Sequence, residues 1–204
     1  MKIICIGQNY AGHNKEMKSR PSDEPLFFIK PETSLLIRNK PFYYPEFTKE
    51  LHYEAEIVVR IDRVGKHIQS KFANRYYQQI GFGIDLTARD LQRVCKQEGR
   101  PWEICKGFES SAPISKFIDL EDHGLQINNI PFHLNINGKT VQQGNTADLL
   151  WSVDEVIAHV SKFMSLKIGD LIFTGTPEGV GPLHIGDHLE GYIGDQLMMS
   201  MKIK

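Results

Sequence analysis

The pattern of hydrophobic and polar positions predicts short strands separated by turns near the start of the chain. The opening segment KIICIG is apolar and is followed by polar residues after Gly7, which predicts a short buried strand. The segment LFFIKP is apolar and aromatic and stops at Pro31, a residue that cannot donate a hydrogen bond to a sheet. Residues 10–18, between these segments, contain no breaker apart from Gly12 and predict a short helix.

In the segment LHYEAEIVVRI, residues 51–61, every second residue from Leu51 onward is apolar. This alternation predicts one continuous strand with one apolar face. Glu54 and Glu56 share a face of this strand and lie about 7 Å apart along the backbone, so their carboxylates could converge on one ion. Alternating charges are also typical of a strand with a solvated face. Val58 on the same face, opposite an unbroken apolar face, instead indicates a strand deep in the fold.

The middle of the chain contains further signals for strands and helices. Residues 72–79 have a helical pattern, and the segment GFGIDLT predicts a strand with Asp85 at its end. Residues 88–99 predict a helix that is stopped by Gly99 and Pro101. Asp85 is therefore expected at a junction between a strand and a helix.

The second half of the chain contains the clearest local signals. The segment PFHLNINGKTVQQG predicts a hairpin that turns at Asn137 and Gly138. Ser152 with Glu155 three residues later predicts a capping box that starts an amphipathic helix, which continues to about Leu166. The apolar segments after this helix are separated by Gly-Asp and Gly-Pro turns and predict a strand-rich end.

Composition narrows the class of protein. The sequence shows no internal repeat, low-complexity tract or long linker, so we expect one strand-rich α+β domain over residues 1–204. Lys and Arg total 24 against 25 Asp and Glu, which leaves no positive field for nucleic acid or an anionic membrane. Cys5, Cys95 and Cys105 form no CxxC pair, which indicates a reducing compartment. The apolar runs are too short for a signal peptide or a membrane span, so we expect a cytoplasmic protein.

Three carboxylates in apolar surroundings are the main candidate for chemistry. Asp85 lies between Ile84 and Leu86 and joins Glu54 and Glu56 as the third acidic group. A buried acid needs a cation, hydrogen bonds or a raised pKa, because an isolated buried charge is costly. Three oxygen donors without a cysteine would suit a hard cation such as Mg²⁺ or Mn²⁺.

Several other polar residues could act on a substrate. His13 and Glu16 have the i, i+3 spacing of an imidazole base oriented by a carboxylate, although an exposed helical turn has the same spacing. Lys30 ends an apolar strand, and Lys106 lies in the aromatic segment WEICKGF, so either lysine could face an anionic substrate. Both lysines, like Arg89, are by default ordinary surface residues.

The glycine-rich segment GTPEGVG follows the apolar segment LIFT. It is followed by neither the lysine nor the helix of a phosphate-binding loop. We expect a sharp turn here, and an alternative is that the turn presents Thr176 and backbone N–H groups to a ligand carboxylate.

Taken in order, six segments resemble the fumarylacetoacetate hydrolase family in its short single-domain form, which contains acylpyruvate hydrolases and oxaloacetate decarboxylases. They are GQNYAGHNKEM (7–17), PLFFIKP (25–31), LHYEAEIVV (51–59), GFGIDLTARDLQ (81–92), PWEICKGFESSAPIS (101–115) and GDLIFTGTPEGVGP (169–182). The resemblance covers nearly the whole chain. It implies a flattened, mixed β-roll with peripheral helices and a homodimer.

The resemblance also implies the roles of individual residues. It assigns Mg²⁺ or Mn²⁺, with no organic cofactor, to Glu54, Glu56 and Asp85. The expected catalytic residues are Lys106, His13 and Glu16, of which the last two lie on a mobile lid segment at about residues 9–20, and Thr176 is the implied contact to the substrate carboxylate. Apart from the resemblance, we also expect Lys30 and Arg89 to contact the substrate.

The reaction implied by the resemblance is metal-dependent cleavage of a C–C bond in a small 2-oxo acid. Acylpyruvate hydrolysis and oxaloacetate decarboxylation would both pass through a pyruvate enolate held at the metal, with Lys106 beside its charge. His13 would activate water for hydrolysis, a step that decarboxylation does not need. The main alternative is an isomerase or tautomerase of a 2-oxo or 2-hydroxy-dienoic dicarboxylic acid on the same fold, and a further alternative is a non-catalytic metal-binding homologue.

Overall fold

Short apolar segments bounded by turn residues form the strands of the computed structural model, which describes residues 1–18, 20 and 22–204. The strands are β1 (Ile3–Gly7), β2 (Leu26–Lys30), β3 (Leu35–Leu36), β4 (Leu51–Tyr53), β5 (Ala55–Ile61), β6 (Tyr77–Ile84), β7 (Thr87–Ala88), β8 (Ala112–Pro113), β9 (Ile118–Asp119), β10 (Pro131–Ile136), β11 (Lys139–Asn145), β12 (Leu171–Phe173), β13 (Gly181–Pro182), β14 (His188–Ile193) and β15 (Gln196–Lys202). The helices are α1 (Ala11–Glu16), α2 (Arg89–Glu98), α3 (Glu103–Lys106) and α4 (Val153–Phe163), with 3₁₀ turns at Glu32–Ser34, Ser70–Tyr76 and Thr146–Asp148. This is the strand-rich α+β architecture expected from the sequence.

The largest sheet has six strands in the order β2-β1-β12-β5-β6-β9. Strands β1 and β12 pair in parallel and the other neighbours are antiparallel, so the sheet is mixed. Its central strand β5 is buried on both faces except at Arg60. The polar face of residues 51–61 is therefore not solvated, as the apolar residue Val58 indicated.

A second, antiparallel sheet in the order β11-β10-β14-β15 packs against the first. Phe82 of β6 meets Phe132 of β10 edge to face, with the ring centroids 6.4 Å apart. Gly191 of β14 leaves the space for the Phe82 ring, because a Cβ atom at position 191 would come within 2.2 Å of that ring. The core thus lies between the two sheets, and one face of β6 is fixed within it.

The structure corrects the prediction of one continuous strand over residues 51–61. The strand is interrupted at Glu54, and its two parts belong to different sheets: β4 pairs with β7 and β13, and β5 pairs with β12 and β6. At the break, the Glu54 carbonyl accepts a hydrogen bond from the Asp85 N–H at 2.8 Å. The Ala55 N–H donates to the Gln142 side chain at 2.9 Å. These bonds to distant residues replace the regular hydrogen bonds between strands at the break, so β4 and β5 can enter different sheets.

Two helix predictions also need correction. Residues 72–79 do not form one helix, because the 3₁₀ turn ends at Tyr76 and the next residues begin β6. The helix capped by Ser152 ends at Phe163 and not at Leu166, although the capping box with Glu155 is present.

The hairpin predicted at Asn137 and Gly138 is confirmed, and both residues have a positive φ.

Other predictions concern the cysteines and the N-terminal segment. The three cysteines are buried free thiols. Within the described residues, no helix is both long and apolar enough to cross a membrane. The predicted helix at residues 10–18 is confirmed as α1. Ser19, which falls within the expected lid segment at residues 9–20, lies outside the described residues.

Candidate metal centre and active site

Three buried carboxylates meet where β5 and β6 pair. Glu54 lies at the break before β5, Glu56 lies within β5, and Asp85 directly follows β6. Antiparallel pairing sets Ala55 opposite Ile84, and this register brings the two strand ends together. One oxygen from each carboxylate lies within 4.8 Å of the other two. The three residues expected from the sequence therefore form one compact cluster.

Three cations contact this cluster. Lys106 Nζ donates to Glu54 at 2.8 Å and to Asp85 at 2.7 Å, so it bridges two of the three acids. Arg89 Nη2 lies 2.6 Å from Glu54 Oε1. Lys30 Nζ lies 2.6 Å from Asp85 Oδ1. All three side chains are almost fully buried, so solvent screens these ion pairs little.

The two glutamates differ in charge balance. Burial opposes ionisation of Glu54, but the charges of Lys106 and Arg89 outweigh it and hold its pKa well below the ordinary value. For Glu56, burial raises the pKa, and the negative charges of Asp85 and Glu54 raise it further. The polar contact that Glu56 makes is the Gly175 N–H, which donates at 2.7 Å. Glu56 is thus the buried carboxylate of the cluster that lacks a cationic partner among the described residues.

The donor set fits a divalent hard cation. Three carboxylates supply only oxygen ligands, which favours Mg²⁺ or Mn²⁺ over softer metals. The unbalanced charge of Glu56 would be relieved by a cation between it and its two acidic neighbours. Glu54, Glu56 and Asp85 are therefore the residues that would hold the ion.

Lys30 lies in a different place from that expected of a substrate contact. Its ammonium group is fully buried behind Asp85 and donates to the Ser111 carbonyl at 2.7 Å and to the Leu86 carbonyl at 3.1 Å. Among the described residues, Lys30 does not line the cavity above the carboxylates. Its position suits it to orient Asp85.

The pair on α1 lies over the same cavity. His13 lines the cavity, and its Nδ1 atom is 3.8 Å from Glu16 Oε2, which is an ion-pair contact and too long for a hydrogen bond. Burial lowers the pKa of His13 and, with the charges of Arg89 and Lys106, outweighs the opposite effect of Glu54, so the imidazole is neutral near pH 7. Glu16 also accepts from the Gly179 N–H at 3.1 Å. A neutral imidazole at the cavity is chemically able to accept a proton.

The turn after β12 completes the wall of the cavity. Gly175 adopts a φ of +105°, a conformation that favours glycine, and this directs its N–H toward Glu56. Thr176 lines the cavity, and its hydroxyl donates to the Ala55 carbonyl at 2.9 Å and accepts from Gln142 at 2.9 Å. The sequence indicated Thr176 but gave no signal for Gln142, which holds both this turn and the break before β5.

Further cavity residues were not predicted from the sequence. The free space above the carboxylates is about 40 Å³, which suits an ion or a very small ligand. Its wall also contains residues from β2, α2 and the segments beside α1 and α3, namely Gln8, Met17, Phe28, Gln92, Lys96 and Trp102. Gln92 and Lys96 follow Arg89 at i+3 and i+7, a helical spacing that could have identified them.

Comparisons with known proteins match nearly the whole chain. The family model described as fumarylacetoacetate (FAA) hydrolase C-terminal matches residues 2–203. Oxaloacetate tautomerase FAHD1, mitochondrial, of Mus musculus is 38% identical over 206 residues, which cover 99% of this chain and 91% of that protein. Oxaloacetate tautomerase YcgM of Escherichia coli (strain K12) is 41% identical over 188 residues, which cover 92% of this chain and 86% of that protein.

A solved structure is similar over the same length. The crystal structure of fumarylpyruvate hydrolase from Pseudomonas aeruginosa in complex with Mn²⁺ and pyruvate superposes with a TM-score of 0.94 and is 36% identical. The match covers 100% of this chain and 89% of that one. Both named activities act on small 2-oxo acids.

Proposed function

We propose that this chain, which belongs to the fumarylacetoacetate hydrolase family, catalyses the keto–enol tautomerisation of oxaloacetate or a closely related 2-oxo dicarboxylic acid. Mg²⁺ or Mn²⁺ is the proposed cofactor. The observation that carries the proposal is the buried cluster of three carboxylates bridged by Lys106. Two relatives of 38% and 41% identity are named oxaloacetate tautomerases, which favours tautomerisation among the reactions open to this site.

The charge of the site supports a dianionic substrate. The negative charges of Glu54, Glu56 and Asp85 are matched in number by the positive charges of Lys30, Arg89 and Lys106. A divalent cation would leave this cluster with two excess positive charges, not counting Lys96 on the cavity wall. A 2-oxo dicarboxylate carries two negative charges and would neutralise them, and charge pairing is strong in a buried site.

The metal would supply Lewis-acid polarisation of the 2-oxo group when bound. Lys106 adds a fixed positive charge for the oxygen on which negative charge develops. Burial lowers the pKa of Lys106, but Asp85 and Glu54 outweigh this and raise it, so the side chain stays protonated. A preorganised charge of this kind stabilises a transition state without the reorganisation that water would need.

His13 is the residue proposed to move the proton. Its neutral imidazole would accept a proton from C3 of the substrate, and the imidazolium would return that proton to the 2-oxo oxygen, which gives the enol and restores the neutral imidazole. Glu16, 3.8 Å from Nδ1, stabilises the imidazolium that results. The reverse sequence of transfers converts the enol to the 2-oxo form.

C–C cleavage of an acylpyruvate, or decarboxylation of oxaloacetate, is the second candidate. The His13–Glu16 pair is also suited to activate water for attack on an acyl carbonyl. The fumarylpyruvate hydrolase from Pseudomonas aeruginosa, at 36% identity, favours this alternative. Hydrolysis and tautomerisation would then share Lys106 and the metal ligands and differ in the atom from which His13 takes a proton.

One experiment separates the two candidates. Metal-loaded protein is mixed with freshly dissolved enol oxaloacetate, and loss of the enol is followed by ultraviolet absorbance while pyruvate is measured in parallel with lactate dehydrogenase. We expect faster keto–enol equilibration with no pyruvate above the uncatalysed background. Pyruvate release from oxaloacetate, or from an acylpyruvate supplied in a separate reaction, without faster equilibration of oxaloacetate would contradict tautomerisation and support cleavage.

A further inference from the structure

Helix α2 presents three polar side chains along one face. Arg89, Gln92 and Lys96 are spaced i, i+3 and i+7, and all three line the cavity above the carboxylates. The same residues, with Met17, also line a second cavity of about 410 Å³ that includes Glu16 and Arg93. The larger cavity therefore adjoins the small one along this face of α2.

The other cations of this face are already paired. Arg89 contacts Glu54 at 2.6 Å and Gln92 at 2.5 Å. Arg93 forms an ion pair with Glu50. Lys96 forms no ion pair with any acidic side chain among the described residues, and its ammonium lies 5.7 Å from the centroid of the Trp102 ring. Lys96 is thus the cation of this face that remains available to an anion.

Charge around Lys96 also favours an anion. Burial lowers its pKa, and the nearby positive charges of Arg89 and Lys106 lower it further, although the charge of Glu54 acts in the opposite direction. An anionic group bound between these side chains would relieve their repulsion. The indole of Trp102 holds the lysine at the cavity wall through a cation–π contact, which limits the conformational entropy lost on binding.

We infer that Lys96 binds the distal carboxylate of the substrate and thereby selects 2-oxo dicarboxylates over 2-oxo monocarboxylates. This inference rests on the proposed function, because it assumes that the 2-oxo acid end of the substrate occupies the small cavity. The distal carboxylate then points along α2 toward the larger cavity. Lys96 contacts the substrate away from the reacting carbon, so it determines specificity and takes no proton.

The test compares two ligands with the same four-carbon backbone. Binding of oxaloacetate and of 2-oxobutanoate, in which a methyl group replaces the distal carboxylate, is measured by calorimetry on Mg²⁺-loaded protein. Lys96→Met keeps the apolar stem on Trp102 and removes the charge. We expect it to weaken oxaloacetate binding by about tenfold to a hundredfold, the loss typical of a hydrogen bond to a charged group. Binding of 2-oxobutanoate should change by less than about threefold.

Two variants serve as controls. Lys96→Arg restores a positive charge and should recover most of the affinity for oxaloacetate. Lys71→Met changes an exposed lysine that lies 4.9 Å from the Phe72 ring centroid, away from both cavities, and should leave both affinities unchanged. This control makes the same lysine-to-methionine change at a position that lines neither cavity.

The inference is overturned if Lys96→Met weakens both ligands equally or neither of them. It is also overturned if the parent protein does not prefer oxaloacetate to 2-oxobutanoate. Failure of the proposed function has a different signature. A parent protein that binds oxaloacetate selectively through Lys96 but does not accelerate its tautomerisation would contradict the proposed reaction and support the assignment of Lys96.

Discussion

Glu54 and Glu56 are two residues apart and both buried, yet removing the charge of each should change the stability of the metal-free protein differently. Glu54→Gln leaves Arg89 without its carboxylate and leaves Lys106 with Asp85 alone. Breaking a buried ion pair on one side typically costs about 3–5 kcal/mol of stability. We expect a loss near 3 kcal/mol, because Lys106 keeps one partner, and a fall in Tm of roughly 6–12 °C for a chain of this size.

Glu56→Gln should have little effect or stabilise the metal-free protein. The glutamine retains an oxygen for the Gly175 N–H and removes a charge that Asp85 and Glu54 repel. The raised pKa of Glu56 also predicts that the substitution does not destabilise the protein. A carboxyl group whose pKa is raised by folding opposes folding when it is ionised at neutral pH. We expect a change in stability within about 1 kcal/mol of the parent, or a gain.

Metal should make Glu56→Gln less stable than the parent, while Glu54→Gln stays the least stable of the three because it loses a metal ligand as well as its ion pairs. At a concentration about 100 times its Kd, an ion that binds only the folded state stabilises the parent by about 2.7 kcal/mol. Glu56→Gln should lose most of that gain, since the ion loses one of three charged ligands. The assay is calorimetric unfolding of the parent and both variants, in EDTA and in excess Mg²⁺ or Mn²⁺. Equal destabilisation by Glu54→Gln and Glu56→Gln in EDTA would refute the assigned charge balance.

Other predictions test the catalytic residues and the packing of the fold. Lys106→Met should keep stoichiometric metal, measured by elemental analysis, and lower kcat by about 10²-fold or more because the charge beside the developing oxyanion is lost; an unchanged kcat would exclude that role. His13→Ala should lower kcat by about 10²–10⁴-fold with metal affinity near that of the parent, and a loss of less than tenfold would contradict its assignment as the base. Because burial lowers the pKa of His13, the acidic limb of the kcat/KM profile should fall below pH 6.5 and disappear in His13→Ala, whereas a limb at or above that pH would contradict the neutral imidazole. Gly191→Ala should destabilise the fold by about 1–3 kcal/mol in denaturant unfolding, since the added methyl group meets Phe82, and a neutral effect would show that the sheets can separate without cost.

Local signals in the sequence were sufficient for many elements of the fold. The helix that ends at Gly99 was predicted because glycine tolerates the left-handed conformation observed there. The hairpin at Asn137 and Gly138 and the capping box at Ser152 were likewise predicted from residues a few positions apart. In each case the interaction that fixes the structure lies within the segment itself.

Features that depend on distant residues could not be predicted in this way. The break at Glu54 depends on a bond from Ala55 to Gln142, 87 positions later. The position of Lys30 behind Asp85 depends on Ser111, a residue of a separate segment whose carbonyl and hydroxyl oxygens accept hydrogen bonds from Lys30. The periodicity of residues 51–61 therefore placed Glu54 and Glu56 on a common face correctly but could not show that the strand changes sheets between them.

Whether the three carboxylates hold a metal ion on which tautomerisation depends is tested by the rate of oxaloacetate tautomerisation as a function of metal occupancy. Metal-stripped protein is titrated with Mn²⁺, bound ion is counted by electron paramagnetic resonance, and enol decay is measured at each point. We expect one ion per chain and a rate that rises in proportion to occupancy. A variant that combines Glu54→Gln, Glu56→Gln and Asp85→Asn should lose both the bound ion and the activity. Full activity of the metal-stripped protein, or stoichiometric Mn²⁺ binding by a folded triple variant, would contradict metal-dependent tautomerisation at this site.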